Sequence, residues 1–370
     1  MVNEISKTFF NPRHYAAHRI FRKTTEERNM VAQSSVALNS KTYRLFTSPS
    51  YDVVIEPQGG KRLVRVETRD PSIFVLRRQV LTSYPDDLIS LINRIKGPGY
   101  LCDEIARDGD PTYVKGWLEA DLSGFFRPEQ FVGKRILDFG SGAGASTVAL
   151  RALFPGAEVE GVELDADLRE IALARARYHG FDPACFWLAP DGEHLPAGIG
   201  RFDLVVLSAV WEHLLPKERP MILWQIWSLL RPEGYLFINQ TPYRWSPLEN
   251  HTTSLPLLNY LPDGLALRAA RKFCGNVRPD ETWEELLRRG IRGGTPSEIK
   301  GLIRSMGGKA RLLTPSGMGI SDMIDLWYSR SGAGRLHALK HCVWMALKGV
   351  KLLTGMQILP SLTMVAQKKA

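Results

Sequence analysis

The chain has 370 residues, 44% of them hydrophobic and 24% charged, which excludes a disordered, collagenous or disulfide-dense polypeptide and predicts two or three structural units. Four widely spaced cysteines, Cys102, Cys185, Cys274 and Cys342, make no Cys-x-x-Cys pair, which argues against a zinc ribbon and for a reducing compartment. No uncharged apolar run reaches the roughly 18 residues that a spanning helix needs, and the opening residues predict no signal peptide.

The net charge of +9 is unevenly spread. Residues 1–100 hold 16 Lys and Arg against 9 Asp and Glu, residues 101–264 hold 14 against 23, and residues 265–370 hold 18 against 7. An acidic centre suits a cationic ligand, and basic flanks suit an anionic acceptor or membrane face.

In chain order, residues 1–40 are polar and predict a loose helix or disorder. Three β-like runs follow at 51–55, 62–67 and 72–76, with a turn at Gln58-Gly59-Gly60-Lys61, so residues 1–84 form an N-terminal addition with a small antiparallel sheet. Residues 85–133 read as a helical lead-in, with apolar spacing over 86–95 and 113–122. Strand and helix patterns alternate over 134–242, which predicts a parallel sheet covered on both faces. Its strands fall at 136–139, 157–163, 185–188, 201–207 and 235–238. Its helices run from Ser146, with Val148, Ala149 and Leu150 toward the sheet, then over 167–179 and over 221–230. The last reads as buried, with Trp224 and Trp227. Residues 243–309 read as an insertion on the acceptor side. Residues 310–370 supply strand candidates at 310–313 and 362–367 and a basic amphipathic helix at 335–354. Its apolar residues Leu336, Leu339, Val343, Leu347, Val350 and Leu353 share one face.

Residues 135–150 organise the rest. A buried strand ends at Asp138-Phe139, a turn carries Gly140, Gly142 and Gly144, and a helix follows. Alternate glycines let backbone pass close to a ligand, and a helix start offers unpaired N–H groups to an anionic group. Gly140-x-Gly142-x-x-Ala145 also fits the dinucleotide fingerprint, so an NAD-dependent oxidoreductase is one alternative. A non-catalytic membrane-associated binding protein is another.

The surroundings resemble the class I S-adenosylmethionine-dependent methyltransferases of the type 11 and type 23 kind. The motif is Asp138-Phe-Gly140-Ser-Gly142-Ala-Gly144, supported by Phe202–Leu207, by Ser208-Ala-Val-Trp211-Glu-His213 and by Arg231-Pro-Glu-Gly234. The resemblance implies a Rossmann-like doubly wound, mostly parallel seven-stranded sheet with a C-terminal α/β cap. It implies S-adenosyl-L-methionine held by Asp138, Gly140, Gly142, Gly144, Glu163, Asp191 and Ser208. Glu163 would take the ribose hydroxyls, Asp191 the adenine amino group, and Asp138 the amino group of the methionine moiety. Trp211 and Arg244 would line the acceptor pocket. Glu249 and His251, with His213, are the candidates to orient and deprotonate an acceptor hydroxyl. Some ubiquinone-pathway relatives bind a metal through Glu-x-x-Glu-His here, but Ala209 stands in place of the first Glu, so no metal is expected. The acceptor is expected to be a small molecule, glycan or lipid-linked compound rather than nucleic acid, because no Asn/Asp-Pro-Pro-aromatic motif follows the fourth strand. The expected location is cytoplasmic, with a peripheral contact at the inner face of a membrane.

Overall fold

The computed structural model describes residues 37–39, 42–316, 320–330, 337–355 and 357–369. The helix or disorder expected over 1–40 therefore lies almost wholly outside the described residues, as does the start of the helix expected from Arg335.

Five strands form the N-terminal antiparallel sheet in the order β1-β2-β3-β4-β5: Ala37–Asn39, Thr42–Thr47, Tyr51–Gln58, Lys61–Thr68 and Gln79–Thr82. The run expected at 72–76 is not a strand. Asp70 caps a turn by accepting the Ser72 N–H, and the Leu76 N–H goes to Gly99, so the fifth strand forms later. Three helices follow: α1 (Asp86–Lys96), α2 (Leu101–Gly109) and α3 (Val114–Leu122).

The central sheet has seven strands in the order β13-β14-β10-β9-β6-β7-β8. They are β6 (Arg135–Phe139), β7 (Glu158–Glu163), β8 (Phe186–Leu188), β9 (Phe202–Ser208), β10 (Leu230–Pro242), β13 (Ala310–Leu312) and β14 (Ser361–Lys368). Five are parallel, and β14 is wedged antiparallel between β10 and β13. Helices α4 (Ala145–Leu153), α5 (Ala166–Tyr178) and α6 (Arg219–Leu229) are the crossovers. Alternation along β9 sends Leu204 and Val206 into one apolar layer, with α1–α4, and Val205 and Leu207 into the other, with α6. In α4 it is Thr147, not Val148, that is buried beside Ala149 and Leu150. In α6, Trp227 is buried but Trp224 is exposed, because the helix packs on one side only.

A dinucleotide enzyme of the kind weighed above has six parallel strands in the order 3-2-1-4-5-6. The antiparallel β14 inside the sheet departs from that order. It is the final antiparallel pair expected at the C-terminal end of the chain.

The 243–309 segment folds into a two-stranded ribbon, β11 (Leu248–Glu249) with β12 (Leu255–Pro256), and helices α7 (Asp263–Phe273), α8 (Trp283–Arg288) and α9 (Pro296–Ser305). After α10 (Met323–Ser329) comes α11 (His337–Thr354). Its packed side takes Leu347 from the apolar stripe, with Trp344, against Ile324, Trp327 and Leu359. Lys348 and Lys351 reach Asp322, Lys348 also reaches Asp325, and Lys340 donates to the Tyr328 carbonyl. Leu339, Val343, Val350 and Leu353 point outward instead. Among the described residues, no helix is long and apolar enough to cross a membrane.

Candidate active site

The strand order reverses between β6 and β9, and ligands of open parallel sheets bind in the crevice at such a point. The glycine turn lies there. Gly140, Gly142 and Gly144 all have positive φ, which L-residues with a Cβ rarely adopt. Their surroundings differ. A Cβ on Gly140 would lie 2.8 Å from Val210 Cγ2, and one on Gly144 would lie 3.0 Å from both Ala172 and Phe186, whereas one on Gly142 would meet open space. Gly142 is therefore where the turn leaves room for a ligand, and the other two serve close packing. Helix α4 begins at Gly144 with no side chain capping its first N–H groups, which leaves the helix start able to bind an anionic group.

Glu163 ends β7 beside this turn. Its Oε2 accepts the Gly142 N–H at 2.7 Å, and its Oε1 accepts the N–H groups of Leu164 and Asp165. A carboxylate has about four acceptor positions, and with three taken this pinning leaves about one, on Oε2, for a ribose hydroxyl. Asp138 is buried and accepts from Ser146 at 2.7 Å and Thr147 at 2.6 Å, tying β6 to the first turn of α4. Burial pushes its carboxyl up to about 6, against the hydrogen bonds from Thr147 and Ser146. Arg175, fully buried on α5, donates to the Ala143 carbonyl of the turn and to Glu104 at 3.1 Å on α2. That brace was not legible in the sequence.

Asp191 is exposed and accepts from the backbone of Glu193 and His194. It holds its own turn, and the backbone of Glu193 leads the causes that lower its pKa. Beside it Leu164, 53% exposed, approaches the position of a Gly192 Cβ to 3.9 Å. This open apolar side chain, next to the expected adenine residue, was missed. The signal available was a Leu directly after the acid that ends β7.

Past Ser208, at the end of β9, the chain turns into a short 3-10 segment at Trp211–His213. Trp211 corrects an expectation. It is fully buried, with Gly294 against one side and the Arg219 guanidinium 5.2 Å from its ring centroid, so it is core rather than a pocket wall. Glu249 is a second correction. It accepts the N–H groups of His251, Thr252 and Thr253 and the Thr253 hydroxyl, so it pins the 250–253 loop and is not turned toward an acceptor. Arg244 donates to the Asn259 carbonyl and lies 4.3 Å from the Trp245 ring centroid. Burial, then Arg292, lowers its pKa to about 10.

His251 and His213 do come together, and Glu212 joins them. His213 Nε2 lies 3.8 Å and His251 Nε2 3.9 Å from Glu212 Oε1. Glu212 is buried, and Thr241 donates to its other oxygen at 2.8 Å. Desolvation raises the Glu212 pKa against the pull of His213, and desolvation lowers that of His251 to about 3. His251 is thus neutral near pH 7 and weakly basic.

This topology and this turn are those that the resemblance to class I methyltransferases implied. Residues 116–289 match the family described as "Methyltransferase domain", of the type 23 kind. The demethylmenaquinone methyltransferase of Thermus thermophilus is 30% identical over 109 residues, which is 30% of this chain and 48% of that protein. The chain thus spans about half the length of the curated relative it matches. Among solved structures, an O-methyltransferase family protein from Burkholderia thailandensis is similar at 12% identity, with a TM-score of 0.37 over 72% of this chain and 60% of that one. The plantazolicin methyltransferase BpumL, solved with SAH, is also 12% identical, with a TM-score of 0.39 over 77% of this chain and 96% of that one.

Proposed function

We propose that the protein transfers a methyl group from S-adenosylmethionine to a hydroxyl of a small molecule, glycan or lipid-linked acceptor. The observation that carries this reading is the Gly142 cradle: an open backbone approach, an uncapped helix start behind it, and Glu163 bonded across it. The methionine carboxylate would lie at the start of α4, the ribose at Glu163, and the adenine against Leu164 and the Asp191 turn. The cofactor supplies a methyl group on an activated sulfonium. The protein's own part is orientation, exclusion of water and removal of the acceptor proton, of which orientation is worth up to about 7–11 kcal/mol.

The proton falls to the cluster of Glu212, His213 and His251, which replaces the Glu249–His251 pair read from the sequence. The test is calorimetry with S-adenosylmethionine, its demethylated product and NAD. Binding of the first two and not of NAD is the expected result; binding of NAD alone would sink the proposal. Labelled cofactor in cell extracts, followed by mass spectrometry, would identify the acceptor.

A second reading concerns where the acceptor is met. The outward arc of α11 carries Leu339, Val343, Met345, Val350, Leu352 and Leu353, within a C-terminal third that is net basic. We propose that this arc lies on an anionic lipid surface.

A further inference from the structure

Two elements far apart in sequence build one compact donor set. Glu212 and His213 come from the 3-10 segment after β9, and His251 comes from the loop after β11. One nitrogen from each ring and one Glu212 oxygen all lie within 4.8 Å of one another. Glu212 Oε1 is buried and accepts no hydrogen bond.

The far side of each ring is held. His213 Nδ1 lies 2.7 Å from the Arg288 carbonyl. A carbonyl only accepts, so the hydrogen is on Nδ1, and in the neutral ring Nε2 carries the lone pair. His251 Nδ1 lies 3.5 Å from the Thr252 hydroxyl, which gives its own proton to the Arg289 carbonyl. That hydroxyl is left to accept, which again places the lone pair on Nε2. Both Nε2 atoms thus lie 3.8 and 3.9 Å from the same acceptor oxygen, an arrangement that a cation between them satisfies. Fixing Nδ1–H on a carbonyl or hydroxyl is also how metal-ligating histidines are oriented. The turn at 288–290 is shaped to allow it. Gly290 has φ +89°, and a Cβ there would lie 2.8 Å from His251 Cε1 and 3.0 Å from Glu212 Cγ.

We propose that Glu212, His213 and His251 bind one divalent first-row transition ion, with Zn2+, Fe2+ and Co2+ the fitting class. Two imidazoles and one carboxylate suit borderline ions rather than Mg2+ or Ca2+, and three protein ligands leave coordination positions open. Ligand separations of 3.8 and 3.9 Å need to close by roughly half an ångström to reach bonds of about 2.0–2.2 Å. His213, 20% exposed, gives the ion a way in. The ion's use in orienting and acidifying an acceptor hydroxyl rests on the methyltransferase reading; its binding does not.

The test is made on the full chain, stripped with a chelator and titrated with Co2+ in the absence of cofactor and acceptor. One Co2+ per chain with visible d–d absorption, displaced by Zn2+, is expected. Glu212→Gln, His213→Ala and His251→Ala should each weaken Co2+ binding by at least about tenfold, while His341→Ala, on the distant α11, should match wild type. Circular dichroism identifies any variant that has lost its fold. His213→Ala, at the most exposed ligand, is the one expected to keep it in any case. Failure of the folded wild-type chain to take up Co2+ or Zn2+ would overturn the proposal. So would a folded His213→Ala chain that binds Co2+ as tightly as wild type. Neither outcome depends on whether methyl transfer is found.

Discussion

Glu163 Oε2 accepts the Gly142 N–H at 2.7 Å, so the acid that ends β7 and the open glycine of the turn are one unit. Replacing Glu163 with Gln keeps the shape but removes the charge from up to three backbone N–H bonds. A charge-assisted bond is worth about 1.5–3 kcal/mol. The expected result is roughly 10- to 100-fold weaker cofactor binding by calorimetry, with the midpoint of thermal unfolding lowered by a few degrees.

The turn glycines are predicted to separate. Gly142→Ala introduces a Cβ into open space, at a positive φ that costs about 1 kcal/mol. Gly140→Ala adds to a similar cost a contact of 2.8 Å with Val210, and overpacking brings a further roughly 1–3 kcal/mol. Gly142→Ala should therefore fold nearly as well as wild type yet bind S-adenosylmethionine poorly. Gly140→Ala should show its main loss in thermal stability. Equal behaviour of the two in melting and calorimetry would contradict the packing described.

Asp138 supplies a pH dependence. Burial raises its carboxyl to about 6 in the native state, whereas the unfolded chain has an ordinary carboxyl near about 3.9. Between these values the native protein holds a proton that the unfolded chain has released. The stabilising contribution is thus complete below about pH 4 and is lost as pH rises through about 6. Compared with Asp138→Asn, the wild-type apo protein should lose thermal stability across that window. A cationic cofactor nearby favours the carboxylate, so cofactor affinity should rise over the same range in wild type and stay flat in Asp138→Asn. Parallel melting curves for the two proteins would remove the argument.

Local rules carried the parallel core. Apolar strands, Gly and Pro turns and the acid that ends β7 are short-range signals, and they placed β6, β7, β8 and β9 closely, whereas β10 (Leu230–Pro242) extends well beyond the expected 235–238 on both sides. The trouble came where tertiary packing decided. Trp211 reads as a wall of the acceptor pocket until Gly294 and Arg219 enclose it. Glu249 reads as a base partner until its loop folds back onto it. The pairing of His251 with Glu212 depends on how the 243–309 segment docks, which no local pattern encodes. Arg175 belongs to no sequence motif, yet it is fully buried and braces Ala143.

Glu249 and His251 should separate in kinetics. His251→Ala removes a ring from the Glu212 cluster while Glu249 still holds the loop backbone, so turnover should fall by roughly 10²-fold or more, the range for acid–base groups. Cofactor affinity should be unchanged. Glu249→Gln weakens the bonds that shape the 250–253 loop and should lower stability by about 1–3 kcal/mol. Its activity should recover at lower temperature, where the loop is held. Unchanged turnover in His251→Ala, measured with the acceptor identified from extracts, would exclude the ring from proton removal.

Helix α11 packs its lysines on the same side as Trp344 and Leu347 and turns Leu339, Leu352 and Leu353 outward. Lys348 and Lys351 are tied to Asp322, while Leu352 and Leu353 are 87% and 86% exposed. Folding alone does not bury these side chains, and each leucine transferred out of water gains about 1.5–3 kcal/mol. A bilayer interface supplies that transfer, and the basic C-terminal third adds attraction to anionic headgroups that salt weakens. The full chain should pellet with phosphatidylglycerol vesicles and less with phosphatidylcholine, and release on raising the salt should be partial. The double change Leu352→Glu with Leu353→Glu touches none of the Asp322 contacts, so the helix should stay docked. The bound fraction should then fall by about tenfold or more, because at least one leucine's transfer energy is lost. Pelleting that is insensitive to this change would show that α11 is not the membrane contact.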